Sequence, residues 1–223
     1  MAIQYSSRKS QVVLYAQAVD TTSSQQDDVI ARQRVERVFK RLGATVARYH
    51  GQMVDTQDVS FLAEFDRSTD AVVVALAFQD TQREYLEMID DNSKPEVQIG
   101  LAFSEELPAD GMVADLGMSA LQRLAAKSEP GGVVITAAIC EALSEQSPIE
   151  LDFLGEQIFD GSQKRIEIYR IKLKEGAELP PPPEKARKGR PLQPMGTMRM
   201  LNRYLLLLII AAVIFAFVSA SGS

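Results

Sequence analysis

Apolar and polar residues alternate along this chain in segments that change period, and each change predicts a new element. Gln11-Val-Val-Leu-Tyr-Ala-Gln-Ala-Val19 is apolar and β-prone and predicts a first, central strand. A polar turn over 20–24 follows. Ser24 or Ser23 is placed to cap a helix that opens with Asp27 and Asp28, where carboxylates meet the positive end of the helix dipole. Val29, Ile30, Val35, Val38, Phe39 and Leu42 recur at helical spacing, and Gly43 predicts the helix end. A strand over Thr45–Asp55, a turn at Thr56-Gln57-Asp58 and a partner strand over Val59–Phe65 predict a hairpin. Asp66-Arg-Ser-Thr-Asp70 starts a second long helix carrying Ala71, Val72, Ala75, Leu76, Phe78 and Leu86, and the polar run at 90–95 breaks it. Val97–Phe103 alternates as a strand, and Leu116–Lys127 reads as a helix with Met118, Leu121 and Leu124 on one face. The turn Glu129-Pro-Gly-Gly132 leads into the strand Val133–Thr136 and a short helix over Ala137–Ser144. Two closing strands lie near Glu150–Gly155 and Arg165–Leu173.

Strand, helix, hairpin, helix, strand is the ferredoxin-like order, which predicts an α+β domain: an antiparallel-rich sheet with both helices packed on one face. The expected organisation is an N-terminal extension over 1–8, a domain over 9–173, a linker over 174–203, a transmembrane helix over 204–220 and a tail over 221–223. The linker opens with Glu178-Leu-Pro-Pro-Pro-Pro-Glu184, which predicts extended polyproline, and continues with a basic patch of Lys185, Arg187, Lys188 and Arg190. Tyr204–Ala220 carries no charge and shows no polar face, and roughly 17–20 such residues cross a bilayer core. The basic cluster lies on its N-terminal side, so the positive-inside rule predicts a tail anchor with the domain in the cytoplasm. Ala212, Ala216 and Ala220 form a small-residue row suited to pairing membrane helices, although alanines are ordinary in such a helix.

Composition narrows the function without choosing it. The 223 residues carry a formal net charge of −6, which argues against nucleic acid as a main partner. The N-terminus lacks the apolar run of a signal peptide, so none is expected. Cys140 is the single cysteine and sits among apolar residues, where a small buried hydrophobe is the expected role. His50 is the single histidine, and no partner set of a zinc site accompanies it.

One stretch is more specific. His50-Gly-Gln-Met-Val-Asp-Thr-Gln-Asp-Val-Ser-Phe-Leu-Ala-Glu-Phe65 resembles the hairpin of class III nucleotide cyclases, which typically reads H-G-G-R-I-V-D-T-x-G-D-S-V-L-A-E-F. Weaker likenesses follow in the same order. Asp70-Ala-Val-Val-Val-Ala-Leu-Ala-Phe-Gln79 is similar to D-A-V-x-x-A-L-x-I-Q, and Gln98-Ile-Gly100 to R-I-G. Leu121-Gln-Arg-Leu-Ala-Ala-Lys-Ser-Glu-Pro-Gly-Gly132 is similar to A-A-R-L-x-x-L-A-E-P-G-G. Phe153-Leu-Gly-Glu156 and Ile168-Tyr-Arg170 resemble the closing segments. The resemblance spans roughly residues 9–173 and implies the cyclase-homology fold.

The same resemblance implies a site from which the chemistry has gone. Class III cyclases attack the α-phosphorus of a nucleoside triphosphate with the ribose 3′-hydroxyl, using two metal ions. Hard cations need carboxylate oxygens. The first metal aspartate, of L-F-A-D, falls on Gln17, and the second, at the hairpin tip, on Val59. The base-reading aspartate falls on Leu116 and the ribose-orienting asparagine on Ser119. Only the arginine that meets the developing phosphate charge is kept, as Arg123, and an arginine on an exposed helix is ordinarily just solvated. Asp58, one residue from Val59, is expected on the opposite strand face, and a site rebuilt from Asp20 and Asp58 is the competing arrangement.

No G-x-x-x-x-G-K-[ST] or G-x-G-x-x-G motif offers another phosphate cradle. The reading that follows is a membrane-anchored pseudoenzyme with no catalytic, metal or cofactor residues. It acts as a protein-interaction, oligomerisation or scaffold module, partnered by a second copy or a related cyclase-homology protein. The alternatives are a regulatory subunit of a heterodimeric adenylate or guanylate cyclase and a nucleotide sensor without turnover.

Overall fold

The computed structural model describes residues 11–19, 28–88, 95–107, 114–144, 147–158 and 165–183. The expected cap at Ser23 or Ser24, the turn carrying Asp20, the basic patch and the membrane helix over 204–220 lie outside the described residues. Among the described residues no helix is long and apolar enough to cross a membrane.

In chain order the elements are β1 (Val12–Val19), α1 (Asp28–Arg48), β2 (Gln52–Gln57), β3 (Ser60–Phe65), α2 (Ser68–Met88), β4 (Glu96–Phe103), α3 (Ala114–Ala125), β5 (Val133–Thr136), α4 (Ala137–Glu141), β6 (Ile149–Ile158) and β7 (Arg165–Leu173). The seven strands form one sheet in the order β2-β3-β1-β4-β5-β7-β6. β4 and β5 are parallel, and every other neighbouring pair is antiparallel. The expected α+β, antiparallel-rich sheet is present, with β1 an interior strand between β3 and β4 and β4 the middle strand of the seven.

Period-two alternation along β1 sorts the core into two layers. Val12, Leu14 and Ala16 join a cluster with Val38, Phe39 and Leu42 of α1, Val72 and Ala75 of α2, and Ile139 of α4. Val13 and Tyr15 point the other way and join Ala120, Leu121, Leu124 and Ala125 of α3. Helices therefore cover both faces: α1, α2 and α4 one, α3 the other. The expectation of helices on a single face holds for α1 and α2 and fails for α3, because helical periodicity shows that a face is apolar without showing which side of the sheet it meets.

Two local differences matter to the hairpin. Gly43 does not end α1, which runs on to Arg48, so the strand expected from Thr45 begins only at Gln52. A side chain at Gly43 would sit 3.6 Å from the Phe61 ring, so the glycine lies where α1 approaches β3. The reversal comes at His50, a non-glycine at φ 62, after which Gly51 donates its N–H to the Val46 carbonyl at 3.0 Å. Gly51 is required by space: a Cβ there would stand 2.4 Å from the Phe65 ring. The hairpin turn is then Asp58-Val59, beginning two residues later than expected and taking in Val59, which was expected in the strand.

The end of the described chain packs back on the domain. Leu179 touches the first core cluster, and the Tyr49 hydroxyl donates to the Pro180 carbonyl at 3.0 Å. Cys140 also packs on that cluster, and burial pushes its thiol up to about 11.

Candidate functional site

Gln17 stands near the end of β1, opposite Ser60 of β3 and Gln98 of β4. By the alternation of β1 its side chain points to the α3 face, beyond Tyr15. It is half-buried, and its Nε2 donates to Gln98 Oε1 at 2.7 Å. Gln98 Nε2 donates in turn to the Ser128 carbonyl at 2.6 Å. Ser128 belongs to the tight turn that follows α3, held by its own N–H and hydroxyl to the Ala125 carbonyl at 2.9 and 2.8 Å. A chain of neutral amides thus runs from β1 through β4 to the turn after α3.

Val59 is brought beside Gln17. The Ala18 N–H donates to the Val59 carbonyl at 2.9 Å, so the two positions meet across β1 and the hairpin turn. The Val59 side chain is 58% exposed. Asp58 is its partner in the two-residue turn and has no strand face, so the argument that set it on the opposite face of a strand does not apply. Ser119 and Arg123 lie four apart on the exposed side of α3, while Leu121, Leu124 and Ala125 bury the other. Leu116 stands in the first turn of α3, its side chain outside what the structure describes. Gln17 and Val59 are therefore adjacent, and Ser119 and Arg123 share one helix face.

This donor set does not fit a divalent metal ion. A hard cation takes several oxygens, with carboxylates to balance its charge. Gln17 offers one neutral amide oxygen, and Val59 offers only a backbone carbonyl that accepts from Ala18. Among the described residues no group of three His, Cys, Asp or Glu is placed to hold a metal ion. Glu64 lies on β3, on the same sheet face as Ser60, and burial raises its carboxyl above the ordinary value. It pairs with Val13, however, while Ser60 pairs with Gln17, so it sits about 13 Å along the strands from Gln17. The Tyr15 hydroxyl is likewise raised by burial, with a hydrogen bond to Ser60 working against that rise.

The resemblance pointed to Gln17 and Val59 as site positions and passed through Gln98 and Ser128 without pairing either with Gln17. Gln98 is 81 residues away and Ser128 a further 30, and no local pattern joins them. The available signal was chemical: two glutamines standing at polar positions of otherwise apolar strands.

No family model matches the sequence, and no curated protein matches it. Solved structures do. An adenylate/guanylate cyclase/hydrolase from Silicibacter pomeroyi is 21% identical with a TM-score of 0.56, over 73% of this chain and 97% of that one. An adenylate cyclase from Trypanosoma brucei, solved in its monomeric state, is 15% identical with a TM-score of 0.52, over 76% and 92%. A non-canonical dimeric guanylyl cyclase domain from Blastocladiella emersonii is 13% identical with a TM-score of 0.53, over 75% and 98%. The chain has the fold of adenylate/guanylate cyclase domains.

Proposed function

We propose that this protein is a membrane-anchored, catalytically inactive cyclase-like domain that works by association, with a second copy or with a related cyclase-homology protein. One observation carries the reading: the position that would need the first metal carboxylate is a glutamine closed into the Gln17–Gln98–Ser128 amide chain, beside an apolar Val59. Without a carboxylate there, this position does not hold a metal ion that would activate an attacking hydroxyl or clamp a triphosphate. The exposed Val59 at the hairpin tip is instead the kind of surface that gains from leaving water. The anchor is the uncharged segment 204–220, with the domain on the cytoplasmic side. Confinement to a membrane raises the effective concentration for pairing.

A second reading is favoured by one observation. Arg123 is the one site residue that the resemblance keeps, and it lies on the exposed side of α3, which suits a regulatory subunit that lends an arginine to a competent partner's site. A nucleotide sensor without turnover has less support, since Leu116 and Ser119 replace the residues that would read the nucleoside.

The test is a cyclase assay on the full chain in detergent, with ATP or GTP and with Mg²⁺ or Mn²⁺. No cyclic nucleotide above background is expected. A metal-dependent rate abolished by Asp58→Ala or Asp20→Ala would overturn the reading in favour of a rebuilt site. Coexpression with a competent cyclase separates the second reading: activity that rises with this chain and falls with Arg123→Ala belongs to a regulatory subunit.

A further inference from the structure

The segment after β7 carries chemistry that the candidate site does not use. After Leu173 the chain reverses through Glu175 and Gly176, with Gly176 at φ 72 and the Ala177 N–H donating to the Lys174 carbonyl at 3.0 Å. Glu178–Pro183 then runs back along the domain. Its four consecutive prolines have no N–H and cannot join a helix or a sheet ladder. Exposure along the strap repeats with period three: Leu179 and Pro182 are half-buried, while Pro180, Pro181 and Pro183 are exposed. That is the period of a polyproline II helix, three residues per turn.

One edge of the strap is held. Leu179 packs on the core, and Leu179 and Pro180 border an apolar groove of about 240 Å³ whose other walls include Val72, Leu76, Leu143 and Ile149. Tyr49 donates to the Pro180 carbonyl at 3.0 Å. The outward edge is left with Pro180 and Pro183, three apart and therefore aligned, about 9 Å from each other. A passive spacer needs neither a clasp nor a particular edge. A clasped one presents its prolines with part of the ordering cost of binding already met.

We propose that Pro180–Pro183 is a docking ligand for a protein domain that reads polyproline II through an aromatic-lined groove, of the SH3, WW or EVH1 kind. The outward Pro180/Pro183 edge enters the groove while the Leu179/Pro182 edge stays on the domain. This inference rests on the strap alone and stands whether or not the domain is catalytically silent.

The full chain in detergent micelles, immobilised at its N-terminus, is titrated in separate arms with purified SH3, WW and EVH1 domains, with serum albumin as the blank. Saturable binding with Kd below about 100 µM is expected in at least one arm. Pro183→Ala should weaken it at least about fivefold, and Pro182→Ala clearly less, with unchanged circular dichroism for both. Tyr49→Phe should weaken binding modestly by loosening the clasp. The proposal is overturned if no arm saturates below about 1 mM. It is equally overturned if Pro182→Ala costs as much as Pro183→Ala, or if Tyr49→Phe tightens binding, since the strap would then have to leave the domain to be read.

Discussion

Gln17 and Gln98 replace, in the motifs this chain resembles, the aspartate of L-F-A-D and the arginine of R-I-G, and they are bonded to each other at 2.7 Å. One neutral amide donates to the other without a cation, so this corner is balanced in charge. Gln17→Asp should upset that balance: its carboxylate would face Gln98 Oε1, acceptor against acceptor, and the bond would be lost. A destabilisation of about 1–2 kcal/mol is expected, read as a lower thermal midpoint. Adding Gln98→Arg should recover most of that loss, because the pair becomes carboxylate and guanidinium. A double variant no more stable than Gln17→Asp alone would show that the amide pair does not set the stability of this corner. Glu64 supplies a pH signature on the same face. Burial raises its folded pKa above the ordinary 4.5, so the proton binds more tightly in the folded chain. Its stabilising contribution is full below about pH 4.5 and is lost as pH rises through the raised folded pKa. Glu64→Gln should therefore raise stability at pH 7 and change it little at pH 4, in melts at the two pH values. A gain of the same size at both pH values would place the effect in packing instead of charge.

Helix α3 seals the sheet face to which Gln17 points, and its seat depends on Gly100 of β4. A Cβ at Gly100 would lie 2.9 Å from the Ala125 backbone N and 3.2 Å from its Cα, so the end of α3 would have to move. Gly100→Ala should cost about 1–3 kcal/mol, and the shift should propagate to Ser128 and its bond with Gln98. A denaturant midpoint equal to that of the parent protein would mean that α3 is seated less tightly than the packing indicates. The elements themselves were legible in the sequence, because strands such as Val97–Phe103 and helices such as Ser68–Met88 write their buried faces at periods near 2 and 3.6. Gly43 was misread for a physical reason. A glycine that ends a helix and one inside a helix facing a ring look identical until Phe61, eighteen residues on, is folded against it. The side of the sheet that α3 covers was illegible for the same kind of reason, being fixed by contacts with the distant β1 as well as with its chain neighbours β4 and β5. Within the site, the positions Gln17 and Val59 came from the resemblance, and their adjacency appeared only once β1 and the hairpin were paired.

At the scale of the whole molecule, the cyclase-like fold and the proposed anchor lead to separable expectations. Removing residues 204–223 should move the protein from the membrane to the soluble fraction, because 204–220 is the one long uncharged apolar run in the sequence. If the truncated chain stays in washed membranes, the four charges at Lys185, Arg187, Lys188 and Arg190 become the second anchor to remove, at about 1 kcal/mol each near anionic lipid. The released chain then decides the association proposal. Val59 is 58% exposed in the single chain, and Leu116 stands in the first turn of α3. An open, water-filled cleft would favour polar residues at such positions, whereas apolar ones gain about 25 cal/mol per Å² on leaving water. Solved relatives of this fold include one described as monomeric and one as dimeric, so the fold alone does not fix the state. Residues 1–183, which keep the packed strap, are expected to self-associate in light scattering as concentration rises into the high micromolar range. Val59→Asp with Leu116→Asp should abolish that association by setting like charges into the contact, without lowering the thermal midpoint of the monomer by more than about 1 kcal/mol equivalent. A parent chain that stays monomeric throughout the range, or a double variant that associates as well as the parent, sinks the association surface and leaves the regulatory-subunit reading to be tested through Arg123.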